Sequence, residues 1–374
     1  MTPEDSGVLE RVLVTGGAGF IGSAVVRRLI KQGSGRVLTV DSLTYAGNLL
    51  SLRAVADDAR HWFERVDICE ATKLRDLFAD FQPTGVIHLA AESHVDRSID
   101  GPAVFIHTNI VGTFTVLQEA LRYWRNLTAA KRNQFRIVHV STDEVFGSLG
   151  VEGLFTEQTP YDPSSPYAAS KAGADHLARA WHRTYDLPVI TTNCSNNFGP
   201  YQYPEKLLPL LIQRGLKGHA LPVYGDGRQV RDWLYVDDHA EALLLVLCKG
   251  RPGGSYNVSA RNERRNIDLV HELCRLLDRL APLPGGTSHA GLIEFVADRP
   301  GHDFRYAMDA RKIEAELGWR PRHSFDDALV NTVRWYLGNQ DWCEAVQAGR
   351  YDGRRLGLGT GVEAGPPTAG EVPG

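Results

Sequence analysis

The stretch Ser141-Thr-Asp-Glu-Val-Phe-Gly147 places a hydroxyl and two adjacent carboxylates straight after the apolar run Arg136–Val140. Like charges side by side are costly to bury, so Asp143 and Glu144 form either a solvated turn or acid–base machinery at the mouth of a sheet. Two carboxylic groups with separated pKa values can supply a proton donor and a proton acceptor together. A second pair follows in YAASK, where Tyr167 and Lys171 stand four apart on a stretch that reads as a helix beginning just after Pro166. That spacing sets both side chains on one helix face. An ammonium beside a phenol favours the phenolate, lowering a pKa that is about 10 when unperturbed. Tyr167 is then expected to act as a base on a substrate hydroxyl, Lys171 also to hold a nicotinamide ribose, and Thr142 to end the preceding strand.

Upstream, RVLVTGGAGFIGSAVVRRLI reads as a strand, a glycine turn and a helix. Gly16, Gly19 and Gly22 are spaced three apart, which permits a tight turn, close approach of backbone to a pyrophosphate, and close helix–strand contact. Asp41 follows at the end of a second apolar strand, where a carboxylate suits the adenosine ribose hydroxyls and repels the extra phosphate of NADP. NAD is therefore the expected cofactor. Asp67 and Ile68 are expected to end a third strand, where a carboxylate can meet the adenine amino group.

The elements that must position these groups alternate. Short runs apolar on both faces (Arg11–Thr15, Arg36–Val40, Gly85–Ala90, Arg136–Val140 and Leu187–Thr192) alternate with helix-like Ile21–Lys31, Ala103–Tyr123 and Tyr167–Tyr185. That pattern predicts an α/β fold, a Rossmann-type doubly wound parallel sheet, with a smaller interwoven C-terminal substrate domain. The expected division is 8–195 for the NAD-binding domain, which receives some later segments, and 196–350 mainly for the substrate. The second part carries Gly/Pro-punctuated pieces and amphipathic helices such as Asp238–Leu247. Residues 353–374 are too poor in apolar surface to form a core and are expected to be disordered.

The 374 residues are 43% hydrophobic and 23% charged, with a net charge of −4, so a nucleic-acid or membrane surface is not indicated. Five cysteines lack metal-ligand spacing, so no metal site and a reducing compartment are expected. No signal peptide is evident, and no apolar run approaches the roughly 20 residues of a membrane span. A cytoplasmic location is the resulting expectation.

Beyond these local readings, nine stretches carry a resemblance: TGGAGFIGS (15–23), DSLTYAGN (41–48), LAAESHVDRS (89–98), STDEVFG (141–147), YAASKA (167–172), NCSNNFGPYQYPEKLLP (193–209), RDWLYVDDH (231–239), DRPGHDFRYAMD (298–309) and LGWRP (317–321). With them the chain resembles the extended short-chain dehydrogenase/reductase family over nearly its whole length, and within it the enzymes that dehydrate nucleotide-activated sugars. The resemblance implies that Thr142, Asp143, Glu144, Tyr167 and Lys171 are catalytic. Tyr167 takes the proton from the sugar O4 while the C4 hydride passes to NAD. The resulting ketone acidifies C5–H, which Glu144 removes, and Asp143 protonates the departing C6 hydroxyl. Hydride then returns to C6 and a proton to C5, leaving a 4-keto-6-deoxy sugar nucleotide and a tightly held, recycled cofactor.

The same resemblance places Gly16, Gly19, Phe20, Ile21, Gly22, Asp41, Ser42, Leu43, Thr44, Asp67, Ile68, Leu89, Ala90, Ala91, Ser93, Thr108, Tyr167, Lys171 and Asn197 at the cofactor. It places Ser93, His94, Thr142, Asn196, Lys206, Leu207, Pro222, Tyr224, Arg231, Asn266, Arg299 and His302 at the substrate. Arginine suits paired phosphate oxygens through its planar fork. The implied substrate is dTDP-glucose, although preference for thymine over uracil rests on room for one methyl group, worth only about 1–3 kcal/mol. The family also implies a homodimer through a four-helix bundle, to which Ala103–Tyr123 and Ala168–Tyr185 are matched. A sugar-nucleotide 4-epimerase or decarboxylase would share Thr142, Tyr167 and Lys171 but leave Asp143 and Glu144 without work. A non-catalytic NAD-sensing or interaction protein would not need all four of Asp143, Glu144, Tyr167 and Lys171.

Overall fold

The computed structural model describes residues 8–33 and 35–348, so the expected tail, 353–374, lies outside the described residues. Seven strands form one fully parallel sheet: β1 (Arg11–Thr15), β2 (Arg36–Asp41), β3 (His61–Arg65), β4 (Gly85–His88), β5 (Arg136–Thr142), β6 (Val189–Cys194) and β7 (Ser255–Val258). Their order is β7-β6-β5-β4-β1-β2-β3. The chain winds outward from β1 in both directions, which opens a crevice beyond the carboxyl ends of β1 and β4. Strands that are nearly all apolar, such as β1, are buried because helices cover both faces of the sheet.

Helix α1 (Phe20–Lys31) packs Val25, Val26 and Leu29 into one side of the sheet core, together with Leu243, Val246 and Leu247 of a late helix, Val236–Lys249. On the other side, α2 (Ala71–Phe81), α3 (Thr113–Arg125) and α4 (Pro166–Tyr185) bury Leu74, Phe78, Val116, Leu117 and Ala178. The late helix and β7 both come from the second half of the sequence. The second half also builds its own core, where Leu208, Leu211, Leu273, Leu277, Leu329 and Val333 meet beneath a three-stranded and a two-stranded sheet.

Strand β5 ends at Thr142, as expected, so the hydroxyl closes the strand inside the sheet. Several other boundaries differ from the sequence expectation, and two of them bear on site residues. Strand β3 stops at Arg65, leaving Asp67 and Ile68 in the turn beyond it. The expected helix Ala103–Tyr123 is interrupted by a π-helical segment, Ile106–Gly112. Its cause is a set of long-range bonds: Asn109 turns inward, accepting from Glu92 N at 2.8 Å and donating to Glu92 O at 3.0 Å and Ser170 Oγ at 2.8 Å. A widened turn of this kind sits next to functional sites; here it fixes the loop after β4 against the helix that carries Tyr167.

Candidate active site

A cleft at the carboxyl end of β1 is made largely from backbone. Gly16 has φ 68°, and a Cβ on it would lie 2.6 Å from Ala90 N. A Cβ on Gly22 would lie 2.1 Å from Gly16 O, so helix and turn meet at a distance no larger residue allows. Gly19 caps α1 with no side-chain hydrogen bond, and the first turn holds no acidic residue. Its free N–H groups therefore present a ready anion site. Asp41 closes the far end, accepting from Ala18 N at 3.0 Å and Leu43 N at 2.8 Å.

Of the residues expected at a cofactor, Gly16, Gly19, Phe20, Ile21, Gly22, Asp41, Ser42, Thr44, Asp67, Ile68, Leu89, Ala90, Ala91, Ser93 and Thr108 line this cleft. Leu43 and Asn197 do not. Leu43 packs against the core beside β2, and Asn197 is turned to Ser195 O at 2.9 Å and His239 Nδ1 at 2.9 Å. Gly47, Glu92, Tyr203 and Glu205 join the lining and escaped the sequence reading. Gly47 carried a signal, since a Cβ there would sit 2.6 Å from Asp41 Oδ1. A glycine-and-carboxylate cradle of this size and polarity fits NAD.

The acid–base groups stand next to it. Thr142 ends β5, donates to Asp143 Oδ1 at 3.2 Å and accepts from Glu144 N at 3.3 Å, turning the chain into a single 3₁₀ turn, Asp143–Phe146. Asp143 is 2% exposed, and its Oδ2 is buried without a hydrogen-bond partner among the described residues. Burial, then the neighbouring Glu144 and Asp232 charges, push its carboxyl well above the usual range. Glu144 is also raised by burial, but Arg299, Lys206 and Arg231 pull it back. Adjacent carboxylates thus meet different fields: one is pushed toward its protonated form by burial and like charge, the other faces cations.

Tyr167 and Lys171 lie on the buried face of α4, the phenol edge-on to Phe105 at 6.3 Å between ring centroids. The expected lowering of the phenol by Lys171 is not what the structure shows. Burial is the largest influence on Tyr167 and raises it well above its ordinary value, with Glu144 adding to the rise and a hydrogen bond with Thr142 opposing it. Lys171 instead donates from Nζ to Val140 O at 2.8 Å, and burial lowers its own pKa. Neither residue lines the cleft surface.

A second cavity opens directly beyond Glu144. His94, Asn196, Lys206, Leu207, Pro222, Tyr224, Arg231, Asn266, Arg299 and His302 line it with Glu144. Ser93 lies in the first cleft instead, and Lys206, which lines both, donates to Ser93 O at 2.9 Å. Thr142 is set behind the turn, outside this lining. Arg231 is aimed by the carbonyls of Val230 at 2.8 Å and Asp303 at 2.9 Å and lies over the Tyr306 ring at 4.2 Å. Arg299 pairs with Asp96 at 2.9 Å, and the other Asp96 oxygen accepts from Tyr224 at 2.9 Å. Burial and these two arginines lower His302 to about 4, which keeps it neutral. Buried Arg299 Nε, Asn196 Oδ1 and Asn266 Oδ1 have no partner among the described residues, the mark of a site built for a polar guest. Asp96, Trp233 and Tyr306 were missed; Asp96 and Tyr306 act through other side chains, which a residue-by-residue reading does not reach. Among the described residues no group of three or more His, Cys, Asp or Glu is placed to hold a metal ion.

A profile of the GDP-mannose 4,6 dehydratase family matches residues 13–332. The chain is 55% identical over 359 residues to the dTDP-glucose 4,6-dehydratase of Escherichia coli, covering 93% of this chain and 99% of that protein. It is 56% identical over 354 residues to the enzyme of that name from Neisseria meningitidis, covering 94% of this chain and 100% of the relative. The crystal structure of DesIV, a dTDP-glucose 4,6-dehydratase from Streptomyces venezuelae with NAD bound, superposes with a TM-score of 0.81 at 48% identity, over 90% of this chain and 99% of that one.

Proposed function

The chain belongs to the GDP-mannose 4,6-dehydratase family, and we propose that its site converts dTDP-glucose to dTDP-4-keto-6-deoxyglucose and water, a step of deoxysugar biosynthesis. The activity is that of an NAD-dependent hydro-lyase. The observation that carries this reading is the divided carboxylate pair: Asp143 buried, with its pKa raised, and Glu144 at the cavity wall among cations. An epimerase needs no such pair.

The residues divide the work as follows. Tyr167 takes the O4 proton, with Thr142 hydrogen-bonding the oxygen. Glu144 takes the C5 proton once C4 is a ketone, Asp143 gives its proton to the C6 hydroxyl, which leaves as water, and a proton goes back to C5 as C6 is reduced. Bound NAD supplies reversible hydride acceptance, so hydride lost at C4 reappears at C6 with no net redox change. Arg231, Lys206 and Arg299 hold the diphosphate, and Pro222 and Tyr224 flank the base. The glycine turn and Asp41 hold the cofactor.

Purified protein incubated with dTDP-glucose and no added NAD tests the whole reading by product mass, with UDP-glucose in a parallel tube. Loss of one water from the dTDP sugar is the expected result and also shows a resident, recycled cofactor. Loss from the UDP sugar alone would overturn the base assignment. No loss in either tube, even with NAD supplied, would remove the dehydratase reading.

The assembly is a homodimer joined by a four-helix bundle. The helical stretch ending in α3 exposes Val104 (49%), Val111 (40%) and Phe114 (42%), and Phe114 meets Trp181 of α4 edge-on. An apolar face shared by two helices is what a second copy would cover. Light scattering behind size exclusion checks it, and a monomer at micromolar concentration would sink it. No described helix is long and apolar enough to cross a membrane, and the working compartment is the cytoplasm.

A further inference from the structure

We propose that Asp175 is a positioning residue for the oxidation step: a buried carboxylate, locked from neighbouring elements, that serves as the anion one helical turn from Lys171 on the same face. The inference rests on the role given to Lys171 above. On α4, Tyr167, Lys171 and Asp175 follow one another at intervals of four, on one face. Asp175 is 0% exposed. Its Oδ1 lies 2.9 Å from His139 Nε2 of β5, its Oδ2 accepts from Tyr161 at 2.8 Å, and Asn193 Nδ2 of β6 stands at 3.4 Å. A carboxylate only accepts, so Nε2 is the protonated nitrogen of His139; its Nδ1 is buried without a partner among the described residues. Tyr161 is itself held by Arg179 at 2.7 Å.

Few folds place a carboxylate so deep without using it, because an unpaired buried charge neutralises itself. Here the charge is kept. Burial works to raise Asp175, yet His139, Lys171 and Ser141 together bring it below the ordinary carboxylate range. Lys171 is lowered by its own burial, and Asp175 is the foremost charge opposing that, followed by Cys194. The remaining titratable neighbours are His88 of β4, whose ring lies 5.4 Å from that of His139, and Tyr161 with Arg179. None of these supplies Lys171 with a second carboxylate. The same hub reaches the acid–base turn, since Asn193 Nδ2 also donates to Thr142 O at 3.1 Å. One buried anion therefore ties the helix bearing Tyr167 and Lys171 to the strand end bearing Thr142.

The test is the titration of Lys171, followed by NMR of holoenzyme labelled with 13C-lysine and assigned with Lys171→Arg, beside the pH profile of turnover. In Asp175→Asn the Lys171 midpoint is expected to fall by about 1–3 pH units, and the alkaline limb of turnover to move down with it. A role confined to packing would lower yield or melting temperature and leave both midpoints in place; that result overturns the proposal. If Asp175→Asn does not fold, Asp175→Ser is read by the same two midpoints, and midpoints left in place overturn the proposal. Lys171→Met turning over at the wild-type rate would instead remove the role of Lys171, whatever the titration of Asp175→Asn shows.

Discussion

The two clefts of this molecule solve the same problem, holding a charged dinucleotide or nucleotide sugar, by opposite means. The cofactor cleft is organised by backbone: glycines, one helix N-terminus and, among its lining carboxylates, Asp41, whose two oxygens are both occupied by N–H groups of its own walls. The sugar-nucleotide cavity is nearly all long side chains, brought from separate segments and aimed by partners such as Asp96 and Asp303. A backbone site is rigid and intolerant of any added atom. A side-chain site can be retuned, because each cation also sets the charge of its neighbours. Glu205 and Lys206 line both clefts, and the acid–base turn at 142–144 faces the second through Glu144 and takes its electrostatics from the cations there.

The sharpest way to break the comparison is to put a side chain into the backbone site. Gly16→Val adds a β-branched residue at φ 68° and a Cβ 2.6 Å from Ala90 N. The strain alone costs about 3 kcal/mol, and a rate loss beyond about hundredfold follows at about 1.4 kcal/mol per decade. The checkable outcome is protein purified without its cofactor, measured by the NAD released on denaturation. Retention of NAD would mean that the cleft yields more than its geometry indicates. Next in size is Glu144→Gln, which keeps shape and removes the base. Turnover should fall by about 10²–10⁴, with oxidised sugar accumulating before water is lost. Product formation at the wild-type rate would separate the turn from the chemistry.

The same contrast explains what could be read in advance. A backbone site is a local motif, so the spacing of Gly16, Gly19 and Gly22 and the place of Asp41 were legible from periodicity and turn chemistry alone. The parallel sheet was legible for the same reason, since β1, β2 and β5 are continuous apolar runs. The side-chain cavity was reached only through resemblance, because Arg231, Asn266 and Arg299 are brought together by topology that no spacing encodes. Positioning residues stayed hidden in both. Asp96 and Asp303 act at one remove, through Arg299 and Arg231, and the π-helical break at Ile106–Gly112 depends on a long-range bond from Asn109 to Glu92. The Tyr167–Lys171 pair shows the limit of spacing most clearly. A four-residue interval put both on one face, as expected, but burial is the largest influence on each, raising the phenol and lowering the ammonium.

A milder change sharpens the comparison from the other side. Arg299→Ala removes one cation and leaves Asp96 with only Tyr224. A charge-assisted hydrogen bond is worth about 1.5–3 kcal/mol, so KM for the sugar nucleotide should rise by roughly ten- to hundredfold, while the NAD content stays unchanged. Loss of NAD together with the KM effect would show that the two clefts are not separable.

The smallest effect is the most telling, because it links the retunable cavity to the acid–base turn. Glu144 works as a base only when ionised, and burial holds its pKa above the ordinary carboxylate value while Arg299, Lys206 and Arg231 oppose that rise. The acid limb of turnover is therefore expected above the carboxylate range of about 4.3. Activity is present above that limb and is lost as pH falls through it. Arg299→Gln withdraws the foremost opposing cation, so the pKa of Glu144 rises further and the acid limb moves to higher pH, by up to about one unit. Measured at saturating substrate, this shift is independent of the KM effect. An acid limb that stays in place would mean that the base is screened from the diphosphate cations, and that the turn takes its electrostatics from Thr142, Asp143 and Tyr167 rather than from the cavity it faces.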